Sequence, residues 1–238
     1  MVAHVGLPFL RALLWCGAMH LNEFMPSREN MQVHVAAFDF DGTLTRHDTL
    51  IPFLWSSLGP LKFASCLVRS APWLLAYTFK LISNHKAKAR LLEVSLKGWT
   101  EYQARQHADH FVRHKLPHMW HAEGMHELTQ HQRAGHATLL VSASPSIYMQ
   151  QVAKRLGVNG LLCTTLQTTS DGMYTGKLLG PNCHGAEKVH RLQDWLAKHT
   201  APEQDVVLHA YGDTRGDWPM LAMAQRAWYR GRPWVKPL

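Results

Sequence analysis

The apolar run Val33-His34-Val35-Ala36-Ala37-Phe38 leads straight into Asp39-Phe40-Asp41-Gly42-Thr43-Leu44-Thr45. Such a run predicts a buried strand over about 33–40, and its exit delivers two carboxylates two residues apart, then a glycine turn with hydroxyls. Like charges that close repel, and ionised carboxylates at a strand end need a cation or a proton to be tolerated. A Mg²⁺ ion bound by oxygen ligands would satisfy them, with one aspartate positioned to attack phosphorus.

The 238 residues allow one domain with a sizeable insert, or two small domains. Hydrophobic content of 46% against 18% charged residues excludes a disordered chain. The formal net charge of +8 suits an anionic partner. No basic run carries the interleaved aromatics that track a nucleic-acid backbone, so a phosphate ester is preferred and no nucleic acid is expected. Cys16, Cys66, Cys163 and Cys183 lie far apart with no CxxC pair, which fits neither a zinc site nor a disulfide framework. A reducing cytoplasm is the simplest setting. Residues 1–30 read as a loosely attached extension: the apolar stretch 7–15 contains Arg11 and is too short to span a bilayer, and it lacks the flanks of a signal peptide.

Residues 52–124 read as helical almost throughout, with Pro60 in a first turn, Pro72 interrupting midway, and Thr100 capping a further helix. Strand character returns at 137–142, followed by a helix over 146–156 closed by Gly157. Residues 161–179, centred on Asp171-Gly172, read as a β-hairpin. A helix over 185–198 leads to a buried strand at 206–211, and a last strand falls near 227–230. Alternating strands and helices predict an α/β fold: a Rossmann-like three-layer sandwich with a mostly parallel sheet. Its core would comprise 31–51 and 125–238, with 52–124 as a helical cap over the carboxyl edge, where such sheets bind ligands.

Three more segments place reactive residue types at strand ends or helix starts. Ser142 closes Leu139-Leu140-Val141, Lys188 lies in Cys-His-Gly-Ala-Glu-Lys, and Asp213 and Asp217 lie in Tyr-Gly-Asp-Thr-Arg-Gly-Asp-Trp-Pro. In a parallel sheet these positions converge on one edge. The four segments, in this order and with a helical insert after the first, resemble the haloacid dehalogenase superfamily of phosphohydrolases. The insert position is similar to that of its phosphoserine-phosphatase-like subfamily IB. The resemblance spans about residues 33–230.

That resemblance implies a Mg²⁺-dependent phosphomonoesterase acting on a small phosphorylated substrate. Asp39 would be the nucleophile, forming an aspartyl-phosphate, and Asp41 would protonate the leaving alkoxide and then activate water. Asp39, the Asp41 carbonyl and Asp213 would hold Mg²⁺, with Asp217 completing or orienting the shell. Ser142 and the Ala143 N–H would bind phosphoryl oxygens, Lys188 would offset charge, and Thr43 and Gly42 would shape the phosphate loop. Asp48 stands where phosphoserine phosphatases carry a substrate-contacting glutamate, and Ala143-Ser144-Pro145 replaces their glycines. Lys88 or Arg90 in the insert would meet the substrate's own anionic group.

Other features have plainer readings. His107, His110, His114, His118 and His121 could share a helical stripe able to hold a metal, but Pro117 breaks the helix and no acidic partners lie near; a solvated face is expected. The aromatic-rich stretch 53–79 is expected to be a packed helical hairpin, with membrane contact the disfavoured alternative because Lys62, Arg69 and Lys80 interrupt it. Two rival activities share the motifs: a phosphatase of a lipid phosphate such as phosphatidylglycerophosphate, and a phosphotransferase.

Overall fold

The computed structural model describes residues 32–82 and 84–236, so the extension expected over 1–30 lies outside the described residues. Strand β1 (Gln32–Phe38) forms the centre of a six-stranded sheet. It pairs in parallel with β2 (Ala137–Pro145) on one side and β6 (Asp205–Gly212) on the other. Strand β3 (Gly160–Thr164) extends the sheet beyond β2, and β7 (Arg226–Tyr229) and the short antiparallel β8 (Arg232–Pro233) extend it beyond β6. The order β3-β2-β1-β6-β7-β8 reverses direction at β1, and such a switch point opens a crevice at the carboxyl ends of the strands.

The continuous apolar run of β1 is explained by burial on both faces. Ala36 and Phe38 join Leu140 and Tyr211 on one side, packed with Phe53, Phe111 and Tyr148. Val35 and Ala37 join Leu139, Val141, Leu208 and Ala210 on the other, packed with Leu192, Met220 and Leu221. Alternation along each strand therefore divides one run between two apolar layers. The first layer is covered by α3 (Glu101–His114), α4 (Ala122–Arg133), α5 (Ser146–Leu156) and the start of α1 (Leu50–Thr78). The second is covered by α6 (Ala186–His199) and α7 (Trp218–Met223).

Helix α1 bends at Gly59, whose φ of 73° and ψ of 169° leave the helical region, and Pro60 begins the next segment as a first-turn proline. Pro72 does not interrupt the helix as expected. Packing along α2 (Asn84–Leu96) carries the chain through the bond that proline cannot donate. Thr100 caps α3 through a reciprocal pair: its hydroxyl accepts from the Gln103 N–H, and the Gln103 side chain accepts from the Thr100 N–H. Gly157 closes α5 in the left-handed conformation that the helix end requires.

The hairpin expected over 161–179 is shorter. Residues up to Thr164 pair with β2 as part of the main sheet, because Leu161-Leu162-Cys163 supplies apolar surface suited to an interior strand. The hairpin proper joins β4 (Leu166–Thr168) to β5 (Tyr174–Leu178), with Gly172 at φ 72° in its turn. Cys66, Cys163 and Cys183 are buried and unpaired.

Candidate active site

The carboxyl ends of β1, β2 and β6 and the start of α6 surround a cavity of about 620 Å³. Its walls include Asp39, Asp41, Asp48, Ser142, Ala143, Lys188 and Asp217, together with Lys88 from α2. Asp39 follows β1 directly, and its N–H donates to the Tyr211 carbonyl at 2.9 Å, so the sheet ladder fixes its backbone.

The Lys188 ammonium lies between two carboxylates. It donates to Asp39 Oδ1 and, at 2.6 Å, to Asp217 Oδ1. All three groups are buried, so this contact is the alternative to leaving like charges unpaired in a dry site. Burial alone would lower the lysine, but the two carboxylates outweigh it and hold the ammonium above the usual lysine range. Burial pushes the Asp39 carboxyl up to about 8, with Lys188 opposing and Asp217 adding to the rise. Burial also favours the acid form of Asp217. Lys188 and the bonds from Thr214 overcome that effect and hold its carboxyl below the usual range. Asp217 Oδ2 accepts from the Thr214 N–H at 2.9 Å, the Thr214 hydroxyl at 2.8 Å and the Asp213 N–H at 3.2 Å.

Asp39, Asp213 and Asp217 each bring a carboxylate oxygen within 4.8 Å of the others. An all-oxygen set of this kind fits a hard divalent cation such as Mg²⁺. Both oxygens of Asp217 already accept hydrogen bonds, which suits it to orienting Asp213 and Lys188. Burial and the Asp217 charge raise the Asp213 carboxyl, a strain that a cation relieves. Gly42 is required here twice over. Its φ is +84°, and a Cβ would sit 2.1 Å from Asp213 Oδ2.

Asp41 is held from both sides. Its Oδ1 accepts from the Thr49 N–H at 2.7 Å and the Thr49 hydroxyl at 2.6 Å, while Oδ2 accepts from the Ser144 hydroxyl. Tyr148 donates to Ser144 at 2.9 Å and lies 3.0 Å from the Thr49 hydroxyl. Burial, then the nearby Asp48 charge, raises the Asp41 carboxyl and favours its protonated form. Thr49, Ser144 and Tyr148 were not singled out from the sequence. The only signals for them were the position of Thr49 just before α1 and the replacement of glycine by Ser144 after Ser142.

The remaining expected residues divide. Ser142 and Ala143 face the cavity, and Ser142 Oγ also accepts from the Ser144 N–H at 3.0 Å. Asp48 lines the cavity while its Oδ1 caps α1 by accepting from the Leu50 N–H. Thr43 stands beside the carboxylates, its hydroxyl donating toward Asp39 (3.5 Å) and Asp213 (3.4 Å), and it also lines a neighbouring recess. Arg90 lies elsewhere than expected. It pairs with Glu93 at 2.8 Å and lies over the Trp73 ring at 4.4 Å, in a different pocket, because residues two apart on a helix face nearly opposite ways and Lys88 has the cavity side. Asn182, His184 and Arg215 complete the rim and were not anticipated.

A family model described as haloacid dehalogenase-like hydrolase matches residues 36–222. The chain belongs to the haloacid dehalogenase-like hydrolase family. Protein CicA of Caulobacter vibrioides is 36% identical over 203 residues, covering 84% of this chain and 88% of that protein. A histidinol-phosphatase of Neisseria meningitidis is 30% identical over 124 residues, covering 52% of this chain and 55% of its own. Among solved structures, a protein of unknown function from Bordetella pertussis superposes with a TM-score of 0.70 at 24% identity, over 82% of this chain and 89% of that one. A phosphoserine phosphatase solved as a phospho-aspartyl intermediate analogue gives 0.56 at 16% identity, over 82% and 85%.

Proposed function

We propose that the protein is a cytoplasmic, Mg²⁺-dependent phosphomonoesterase that passes the phosphoryl group of a small organic phosphate through Asp39. The observation that carries this reading is the placement of Asp39 at the floor of the cavity, with Lys188 on one oxygen and Asp213 beside it. Asp39 attacks phosphorus as the ester P–O bond breaks, and the Asp41 acid gives its proton to the departing alkoxide oxygen. Asp41, now ionised and held by Thr49 and Ser144, takes a proton from the water that cleaves the acyl phosphate. Ser142 and the Ala143 N–H bind the equatorial oxygens, and Lys188 offsets the charge on the nucleophile. Asp39, Asp213 and the Asp41 carbonyl would hold Mg²⁺, oriented by Asp217, and the ion would supply charge neutralisation at the phosphoryl group. Within residues 52–124, α2 supplies the cap side of the cavity, with its Lys88 and with Asp48 reading the leaving group.

A screen of phosphate esters with Mg²⁺, run beside Asp39→Asn, tests this function. At least one ester should turn over, and the variant should lose about three orders of magnitude or more. Equal turnover by both proteins would refute it.

One observation favours a second reading, a lipid phosphate substrate. Past the Gly59 bend, α1 and the residues after it expose Leu61, Val68, Leu75, Phe79 and Leu81, with Lys62, Arg69 and Lys80 alongside. The 29-residue helix is also long and apolar enough to cross a membrane, although its first turns bury Leu50, Phe53 and Leu54 in the core. An apolar face flanked by cations suits an anionic lipid surface. Co-sedimentation with anionic vesicles, absent with neutral ones, would favour this substrate class, and no sedimentation with either would exclude it.

A further inference from the structure

A second group of side chains lies away from the carboxylates. His34 on β1, His209 on β6 and His136 in the turn from α4 to β2 bring ring nitrogens within 4.8 Å of one another. His34 lies five positions before Asp39, roughly 16 Å along an extended strand, so the two groups are distinct. Among the described residues these are the two groupings close enough to share an ion, and neither draws on the stripe from His107 to His121.

We propose that His34, His136 and His209 form a binding site for a divalent transition metal that prefers imidazole nitrogen, with Zn²⁺ as its representative. The spacing supports it. His34 Nδ1 and His209 Nε2 are 3.1 Å apart, and tetrahedral zinc with Zn–N of about 2.0–2.1 Å puts its ligand nitrogens about 3.3 Å from each other. The His34 and His136 rings stack at 4.5 Å and 14°, so one of them turns about its side-chain torsions to close on the ion. Three imidazoles leave a fourth position for water.

The surrounding hydrogen bonds fix which nitrogen of His136 is bare. Tyr211 donates to Glu127 at 3.3 Å, so its oxygen accepts from His131 Nε2 at 2.9 Å. His131 Nδ1 therefore carries no proton and accepts from His136 Nδ1 at 2.7 Å, which leaves the Nε2 lone pair of His136 free. A metal-binding histidine that donates its other N–H into such a chain is oriented and made more basic. Burial, then neighbouring histidines and Arg226, lowers the pKa of His209 and His136, and burial with neighbouring histidines lowers that of His131, which favours the neutral form that a metal ligand requires. Arg226 of β7 is a cation that acts on His209 and His136, and it is exposed. His34 and His136 are only half-buried, which gives an ion a path in.

The test uses chelator-stripped full-length protein in excess Mg²⁺, titrated with Co²⁺ by visible absorption and with Zn²⁺ by calorimetry. One ion per chain should bind at this site with a tetrahedral Co²⁺ band. His34→Gln and His136→Asn should each remove the band and weaken Zn²⁺ by at least about tenfold, and His131→Gln should weaken it by roughly tenfold. Asp213→Asn should keep the band, which separates this site from the carboxylates. The chain carries 17 histidines, so the His110→Gln/His114→Gln double variant serves as control and should bind unchanged. Circular dichroism confirms that each variant is folded. The proposal is overturned if the folded parent binds no Co²⁺ in Mg²⁺, if the His34 and His136 variants bind like the parent, or if the control abolishes the band.

Discussion

Replacing Lys188 with methionine removes the one cation between two buried carboxylates. Asp39, Lys188 and Asp217 are 6%, 1% and 2% exposed, so water cannot take over the role of the ammonium. With both carboxylates ionised, as in the reactive state, the triad carries one negative charge with the lysine and two without it, and without the lysine the Asp39 carboxyl, already raised by burial, is pushed further toward its acid form. Breaking a buried pair by deleting one partner costs about 3–5 kcal/mol. At about 2–4 °C per kcal/mol for a chain of this size, Tm should fall by roughly 6–20 °C in EDTA. Mg²⁺ should recover part of that loss, because it neutralises the same carboxylates and binds only the folded state. Turnover should fall by about 10²–10³, the scale of losing one electrostatic group at a transition state. Thermal unfolding with and without Mg²⁺, and steady-state kinetics on the best ester, measure both. A Tm within about 2 °C of the parent and turnover within about tenfold would show that Lys188 is not the charge that holds the site together.

Gly42→Ala should leave the fold intact but cut Mg²⁺-dependent activity by about 100-fold or more, since the new methyl would displace Asp213 Oδ2 from 2.1 Å away. Activity close to that of the parent, with an unchanged circular dichroism spectrum, would contradict that geometry. Acid stability should depend on the histidine group. His131 and His209 are both pushed down to about 4, chiefly by burial, so between pH 6.5 and 4 the unfolded chain binds more protons than the folded one. Stability from these two residues is present above the unfolded value and is lost as pH falls through that window. In urea titrations without transition metal, His131→Gln should flatten the slope, and an unchanged slope would refute the assignment.

Several of these features are legible in the sequence because their causes are local. The apolar run before Asp39, the Thr100 cap and the Gly157 stop each depend on neighbours within a few residues, and each stands where expected. Tertiary packing decided the rest. Pro72 stays helical because α2 lies alongside, and residues 161–164 join the main sheet because β2 offers an open edge. Arg90 and Lys88 are indistinguishable by composition, and only the rotation of α2 about its axis chooses between them. The support of Asp41 joins Thr49, Ser144 and Tyr148 across about 100 residues of chain. The histidine group is drawn from β1, α4, the turn before β2, and β6, so no periodicity in the chain announces it.

The most direct test of the account is to quench the enzyme in acid during turnover of a ³²P-labelled ester and map the labelled peptide. The label should reside on Asp39 as a hydroxylamine-sensitive acyl phosphate and should be absent from Asp39→Asn. Rapid turnover with no protein-bound label, or with label on another residue, would contradict it.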